Sequence, residues 1–365
     1  MVNYMTRSTL APAFTSILHC LGRVLRSRRI VLLGICLLLE TGAQAGPPVS
    51  FQPPRRWRIV PIGDSITQGN TGHWTYRYPL WKMLIDAGVD FDFVGSLNYF
   101  DNINPAIPPY RGVPFDFDHE GHVFFQSGEI AGPLPGWMNG SLGSSGGYTP
   151  DIALVHAGTN DALLAIAVPT TVANLTSIIA SLRARNPRVH VLLAKLISTY
   201  SFLDPAGITN ARVTAINAQI DGIAVAMDLP DSRVIVVDQN TGFLPNHTVP
   251  APNGGDTHDG VHPSPAGEEK MARRWLEALQ LLIMSPSVSR DADGRMAVDF
   301  LRVKNSPHLT YRVGVSSDLD VWDWAPAATE TVSTTSTGDW SEWVRIRDLT
   351  STGPRFLKLV VDYAQ

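Results

Sequence analysis

Trp57-Arg58-Ile59-Val60-Pro61-Ile62-Gly63-Asp64-Ser65 is the stretch that decides the fold. A short run of apolar and β-branched residues, then a glycine and two polar residues, reads as a buried strand that stops in a turn. The figure returns at Asp151-Ile152-Ala153-Leu154-Val155-His156, which leads into Gly158-Thr159-Asn160-Asp161. Further apolar runs at 91–94, 189–196 and 233–237 read as strands, and helical spacing marks 74–87, 170–185, 209–227 and 265–283. Ser264 stands as the N-cap of the last helix, with Glu268 and Glu269 in its first turn. Continuous apolar strands that alternate with amphipathic helices call for a parallel sheet covered on both faces. The expectation is an α/β fold: a three-layer α/β/α sandwich around a five-stranded parallel sheet, of flavodoxin type. Such sheets bind ligands beyond the carboxyl ends of their strands, and Ser65 and Asn160 lie just past two of those ends.

Two regions depart from this rhythm. Residues 97–150 are rich in glycine, proline, asparagine and aromatics, among them Tyr99, Phe100, Tyr110, Phe115, Phe117, Phe124, Phe125 and Trp137. A connection this long is functional or disordered, and its aromatic content argues against disorder. Its rings either line a substrate cleft or belong to the core. After Ser285, residues 296–303, 310–316, 340–347 and 356–361 alternate as strands do, while 329–337 is Thr/Ser-rich and reads as a loop. The chain thus divides into a processing segment at 1–45, an α/β domain at 46–284, and a small C-terminal all-β domain at 285–365. Asp291-Ala292-Asp293-Gly294 echoes the start of a calcium loop but lacks the distal glutamate, and reads as a turn between strands.

Composition narrows the function. Of 365 residues, 44% are apolar and 17% charged, and the formal charge is −4, with no clustered basic face for a nucleic acid. Near the N-terminus, Arg23, Arg26, Arg28 and Arg29 precede an apolar run at 30–39 and the small-x-small triplet Ala43-Gln44-Ala45. That is the pattern of a cleaved export signal, and the apolar run is short for a membrane span. Cleavage after Ala45 removes five of 29 basic and one of 33 acidic residues, leaving a charge of −8, which disfavours anionic membranes and polyanions. Both cysteines, Cys20 and Cys36, fall in the removed segment, so the processed chain has neither a disulfide framework nor a thiolate metal site.

The chemistry is carried by polar residues at the strand ends. A serine past a strand is well placed as a nucleophile, and it needs a base, usually an imidazole oriented by a carboxylate. Asp259-Gly260-Val261-His262 supplies both from one turn, with Asp256 and His258 as nearby decoys. Asn160 carries an amide that would donate to an oxyanion. Each residue also has an ordinary reading: Ser65 as a helix cap, Asn160 as a turn residue, His262 as a solvated loop residue before Pro263. His119, Glu120 and His122 invite a metal reading, but their spacing is that of a turn and three or four convergent ligands are needed.

Gly63-Asp64-Ser65, Gly158-Thr159-Asn160-Asp161 and Asp259-x-x-His262, in this order, resemble the SGNH/GDSL hydrolase superfamily from about Arg58 to Ile283. The resemblance implies Ser65 as nucleophile and one oxyanion donor, Asn160 as another, His262 as base and Asp259 as its orienter, with no metal or organic cofactor. Tyr78-Pro79-Leu80-Trp81, Phe91-Asp92-Phe93-Val94-Gly95-Ser96 and His119-Glu120-Gly121-His122 look like acetylxylan-esterase-like members, carbohydrate esterase family three. In those members a glycine shortly after the H-E-G-H block supplies the third donor through its backbone N–H. The position that aligns here is Phe124, which serves only if its backbone reaches a conformation that disfavours side chains; Gly121 and Gly128 are the alternatives. The implied protein is an exported serine esterase acting on short acyl esters, acetyl above all, of a carbohydrate or other small molecule, with no nucleic-acid partner and no stable membrane insertion. The alternatives are a lipase- or lysophospholipase-like hydrolase of longer acyl esters, and a non-catalytic glycan-binding protein on an esterase fold. The oligomeric state is left open.

Overall fold

The computed structural model describes residues 56–101, 104–143, 146–200, 204, 207–245, 255–283, 286–350 and 355–364. The processing segment, the proline-rich lead and the junction at 284–285 lie outside these residues.

The first layer is a parallel sheet in the order β2-β1-β4-β5-β6, formed by β1 (Trp57–Gly63), β2 (Phe91–Phe93), β4 (Ile152–His156), β5 (His190–Lys195) and β6 (Val234–Asp238). A two-residue strand, β3 (Glu120–Gly121), pairs with β1 past the end of β2. β4 and β6 are buried along their whole length, because helices cover both faces. The helices are α1 (Ser65–Gln68), α2 (Arg77–Asp86), α3 (Ser127–Ala131), α4 (Leu134–Asn139), α5 (Thr159–Leu163), α6 (Val168–Arg185), α7 (Ile208–Met227) and α8 (Pro265–Ile283). One face packs Ile178, Ile179, Leu182, Ile220 and Ile223 on Val60, Val155 and Val191. The other packs Leu80, Leu84, Trp275 and Leu279 on Ile59, Leu154 and Leu192.

The C-terminal region is all-β: a four-stranded antiparallel sheet in the order β10-β11-β8-β7 and an antiparallel pair, β12-β9. Its strands are β7 (Ser287–Arg290), β8 (Met296–Val303), β9 (Leu309–Ser316), β10 (Thr329–Ser336), β11 (Ser341–Asp348) and β12 (Phe356–Tyr363). One sequence expectation fails here: β10 is a strand, not a loop. Among the described residues β10 pairs only with β11, and it is exposed from Thr331 to Ser336, so it carries no apolar alternation to read. The core of this region is continuous with that of the α/β layers, since Met296, Val298, Phe300, Leu357 and Leu359 join the cluster that holds Trp275 and Leu276.

The aromatics of 97–150 divide in favour of the core. Phe100 and Phe115 are buried, and Phe115 meets Trp81 edge-on at 5.3 Å and Tyr78 at 5.5 Å. Phe124 alone of the eight borders the cleft described next.

Candidate active site

The register of β1 creates the site. At Gly63 the strand is flanked by β3 on one side (Gly63↔Gly121) and β4 on the other (Gly63↔His156). Three chain segments therefore leave the sheet side by side: one to Ser65, one to Phe124, one to Asn160. A side chain at Gly63 has no room, since a Cβ there would lie 2.3 Å from the His156 carbonyl and 2.4 Å from Thr67 Oγ1. Asp64 caps α1, accepting the Ile66 N–H at 2.9 Å. Burial pushes the Asp64 carboxyl up to about 6 against that hydrogen bond.

The structure brings Ser65, His262 and Asp259 together. Ser65 Oγ lies 2.9 Å from His262 Nε2, and His262 Nδ1 lies 2.6 Å from Asp259 Oδ2. The other oxygen, Asp259 Oδ1, accepts the backbone N–H groups of Val261 at 2.9 Å and His262 at 2.7 Å, so the tight turn presents the carboxylate to the ring by its own backbone. Burial works to raise the Asp259 carboxyl, but the His262 ring and these two N–H groups hold it well below the usual carboxylate range. Burial works to lower His262; the hydrogen bond and charge of Asp259 outweigh it, aided by Asp64, and the imidazole is raised. A raised imidazole beside a hydroxyl is suited to accept its proton and to hold it.

Asp256 is engaged elsewhere, and His258 reaches Asp259 Oδ2 only at 3.8 Å. Asp256 accepts Lys270 Nζ at 2.5 Å and the Leu244 N–H at 2.6 Å. His258 approaches the Pro263 carbonyl through Nδ1 and stacks face to face on His73, with ring centroids 3.6 Å apart. His258, Asp259 and His262 offer possible ligand atoms within 4.8 Å of one another, but both ring nitrogens of His262 already face Ser65 and Asp259.

Three candidate N–H donors stand on the segments that leave the sheet at Gly63 and its neighbours. Among the described residues, neither the Ser65 nor the Phe124 backbone N–H has a hydrogen-bond acceptor. Asn160 Nδ2 donates to the Phe125 carbonyl at 3.0 Å, which leaves its second hydrogen available. Phe124 does adopt the conformation asked of it: its φ is +67°, in the left-handed region. The Gly121 N–H is committed to His119 Nδ1 at 2.9 Å, so of the two main candidates Phe124 has the available donor. Gly128 lies inside α3.

The segment 122–127 is tied on every side. Val123 N–H donates to Gln68 Oε1 at 2.8 Å, and Phe125 N–H to the His122 carbonyl at 3.2 Å. Ser127 donates its N–H and hydroxyl to Asp161, at 2.7 and 2.5 Å. Asp161 also takes the Thr171 hydroxyl at 2.9 Å, so the Thr-Asn-Asp block that delivers Asn160 also fixes the loop of Phe124. The H-E-G-H block is the footing. Buried Glu120 accepts Ser96 N–H and Oγ–H, and Tyr148 O–H at 2.6 Å, with His122 Nε2 at 2.7 Å. The His122 ring stacks on Trp137, centroids 4.0 Å apart, and His119 Nε2 sits 2.8 Å from the Tyr99 carbonyl. Sequence reasoning missed Gln68, Arg77 and Glu268. Arg77 is fully buried and donates to the carbonyls of Thr67, Gln68 and Phe117, so it closes the C-terminal end of α1. Burial lowers its guanidinium to about 10.

Beside the serine opens a cleft of about 190 Å³, bordered by Ser65, Asn70, His73, Thr75, Phe124 and Glu268, with His258 and His262. The profile of the GDSL-like lipase/acylhydrolase family matches residues 127–270, across the segments that deliver Asn160, Asp259 and His262. Over these residues the chain is similar to the GDSL-like lipases and acylhydrolases. The chain is 29% identical over 232 residues to a multidomain esterase of Ruminococcus flavefaciens, covering 61% of this chain and 28% of that protein. This chain therefore spans little more than a quarter of the curated relative's length. Among solved structures, an acetyl esterase mutant with an acetate ion superposes with a TM-score of 0.50 at 29% identity, covering 62% of this chain and 98% of its own. A carbohydrate esterase of family 3 from Talaromyces cellulolyticus gives the same values. The β7–β12 region follows the residues that the family profile matches.

Proposed function

We propose that this chain is a serine carboxylic ester hydrolase that removes short acyl groups, acetyl foremost, from a carbohydrate or other small ester. The observation that carries the reading is the Ser65–His262–Asp259 chain of contacts, at 2.9 and 2.6 Å. His262 Nε2 takes the Ser65 proton as Oγ bonds to the ester carbonyl carbon. The carbonyl π electrons move to oxygen, and that oxyanion is held by the N–H groups of Ser65 and Phe124 and by Asn160 Nδ2. Collapse breaks the C–O bond to the leaving alcohol, which receives the proton from His262. Water, deprotonated by His262, then attacks the acyl-Ser65; the acid leaves and Ser65 regains its proton. Every step uses groups of the protein, water and the ester.

The short acyl group is favoured by the small volume of the cleft. The carbohydrate is favoured by the names of the similar esterases. We also propose export, with residues 1–45 removed; among the described residues no helix is long and apolar enough to cross a membrane.

The test is initial rates of the chain from Gly46 on p-nitrophenyl acetate, butyrate and octanoate, beside Ser65→Ala. The expected result is acetate preference, with a loss in Ser65→Ala of at least about 10³-fold in kcat. Preference for octanoate would move the reading to a long-chain acylhydrolase. Turnover unaffected by Ser65→Ala would overturn the mechanism.

A further inference from the structure

The turn that presents Asp259 and His262 carries a second imidazole, His258, which the mechanism does not use. The backbone closes around the turn: His258 N–H donates to the His262 carbonyl at 3.0 Å, and Thr257 bridges to Pro263. Inside this closure the Gly260 N–H reaches Thr257 Oγ1 at 3.0 Å, and the Gly260 carbonyl accepts the Tyr200 N–H at 2.8 Å. Three side chains with metal-ligating atoms thus stand on one firmly held turn.

The His258 ring is fixed in its plane and in its tautomer. Its face lies flat on His73, with planes 7° from parallel. Its Nδ1 lies 3.2 Å from the Pro263 carbonyl, an atom that can only accept, so Nδ1 carries the hydrogen. In the neutral ring Nε2 is then a bare lone pair, 3.8 Å from Asp259 Oδ2. Two acceptors this close repel each other unless a proton or a cation stands between them. A ring whose other N–H is tied to a backbone carbonyl is also the arrangement found in metal-ligating histidines. The third atom is His262 Nδ1, 2.6 Å from the same Oδ2, and all three atoms lie within 4.8 Å of one another. The three side chains reach solvent, so an ion has a way in.

We propose that His258 Nε2, Asp259 Oδ2 and His262 Nδ1 form an inhibitory site for a borderline divalent metal, zinc above all. Two imidazoles and a carboxylate are a set that zinc takes with water as fourth ligand, at about 2.0–2.2 Å. Such bonds put ligand atoms roughly 3.4 Å apart, so the His258 contact closes a little and the His262 contact opens. The consequence lies in the tautomer of His262. Without metal, Nδ1–H faces Asp259 and the Nε2 lone pair faces Ser65. Zinc bonds to Nδ1 and sends that proton to solvent, and solvent returns one to Nε2, so the ring stays neutral and the protons balance. Nε2–H then donates to Ser65 Oγ and has no lone pair with which to take the serine proton. The binding site stands on its own geometry; the inhibition rests on the esterase reading above.

Binding is tested apart from turnover. The untagged chain from Gly46, which has no cysteine, is titrated calorimetrically with zinc chloride, alone and as His258→Gln or His258→Phe. The phenyl ring keeps a face for His73, and thermal melts without metal establish that each variant is folded. The expected result is one zinc per chain, with affinity weakened at least about tenfold by either change, and no uptake of magnesium, which prefers oxygen ligands. In parallel, rates on p-nitrophenyl acetate are taken with and without zinc, each protein against its own metal-free rate. Zinc should lower kcat at unchanged KM, EDTA should restore it, and His258→Gln should need at least about tenfold more zinc for the same loss. Absence of zinc binding, or an affinity that neither substitution moves, overturns the site. His258-dependent binding that leaves Ser65-dependent turnover intact overturns the inhibition. His258-dependent binding in a protein with no Ser65-dependent turnover leaves the metal site standing and overturns the esterase reading.

Discussion

The imidazole of His262 is asked to be neutral when it accepts the serine proton, yet its surroundings favour the charged form. Burial pulls its pKa down, and the hydrogen bond and charge of Asp259 more than reverse that. The sign for activity follows. Protonated His262 cannot act as base, so kcat/KM is lost as pH falls through a pKa above the ordinary value of 6.5 and recovers on the alkaline side. Asp259→Asn removes the charge that raises the imidazole. A pH–rate profile on p-nitrophenyl acetate should then show the acid inflection moved to lower pH, and kcat lower by about 10²–10⁴. An inflection that stays in place would mean that Asp259 does not set it. At this scale the sequence was highly legible for some residues and silent for others. Ser65, Asn160, Asp259 and His262 announce themselves because small motifs at strand ends carry their chemistry locally. Glu268 and Gln68 do not, because their roles depend on Thr75 and Val123 across space, at 3.0 and 2.8 Å.

Among elements, the segment between β3 and α3 is the one on which the proposed oxyanion site depends. Its four anchors come from three elements: Gln68 at the end of α1, Asn160 and Asp161 in α5, and Glu120 in β3. Asp161 carries the largest share, with three donors on one buried carboxylate. Asp161→Ala strands the Ser127 N–H, the Ser127 hydroxyl and the Thr171 hydroxyl. The expected cost is about 3 kcal/mol or more, read as a lower urea midpoint, together with a drop in kcat as the Phe124 N–H loses its fixed position. Unchanged kcat at a lowered midpoint would separate the loop from catalysis. The strands and long helices were readable from apolar runs and periodicity, and 265–283 coincides with α8. β10 was not, since an edge strand of threonines and serines with both faces open leaves no hydrophobic pattern. The short helices α1, α3 and α5 were not either, because four or five residues are too few to show a period and their formation depends on buried caps and ties such as Asp64 and Asp161.

At the level of the molecule, α8 joins what the sequence presents as two regions. Its Trp275, Leu276 and Leu279 belong to a core that contains Leu154 and Leu192 of the parallel sheet and also Phe300, Leu357 and Leu359 of the β region. Polar contacts follow the same route. Buried Gln280 donates to the Leu301 carbonyl at 2.5 Å and accepts the Tyr311 hydroxyl at 2.6 Å, and Arg273 donates to the Lys304 carbonyl at 2.7 Å. On the far flank, Arg111 donates to the Thr337 carbonyl at 3.0 Å. Regions that share a core are expected to unfold together. Calorimetry should therefore give one transition for the chain from Gly46, with esterase activity lost in that same transition. Two resolved transitions, with activity following only one, would show the β region to be an independent passenger. The all-β character of the C-terminus was legible from alternation at 296–303 and 356–361; its seating on α8 was not, because an amphipathic helix does not declare how many partners will cover it.

His262 stands three residues before α8, and the β region closes over the far side of that helix. The consequence concerns how such a gene can be rearranged. A cut made where the composition changes, after the helix, would separate two halves of one interior and expose an apolar face on each. A crossover that exchanged the C-terminal region intact would have to carry α8 with it, and His262, the proposed base, lies at the very border of that piece. Recombination here would tend to trade the base along with the β region, so the two are expected to be inherited together.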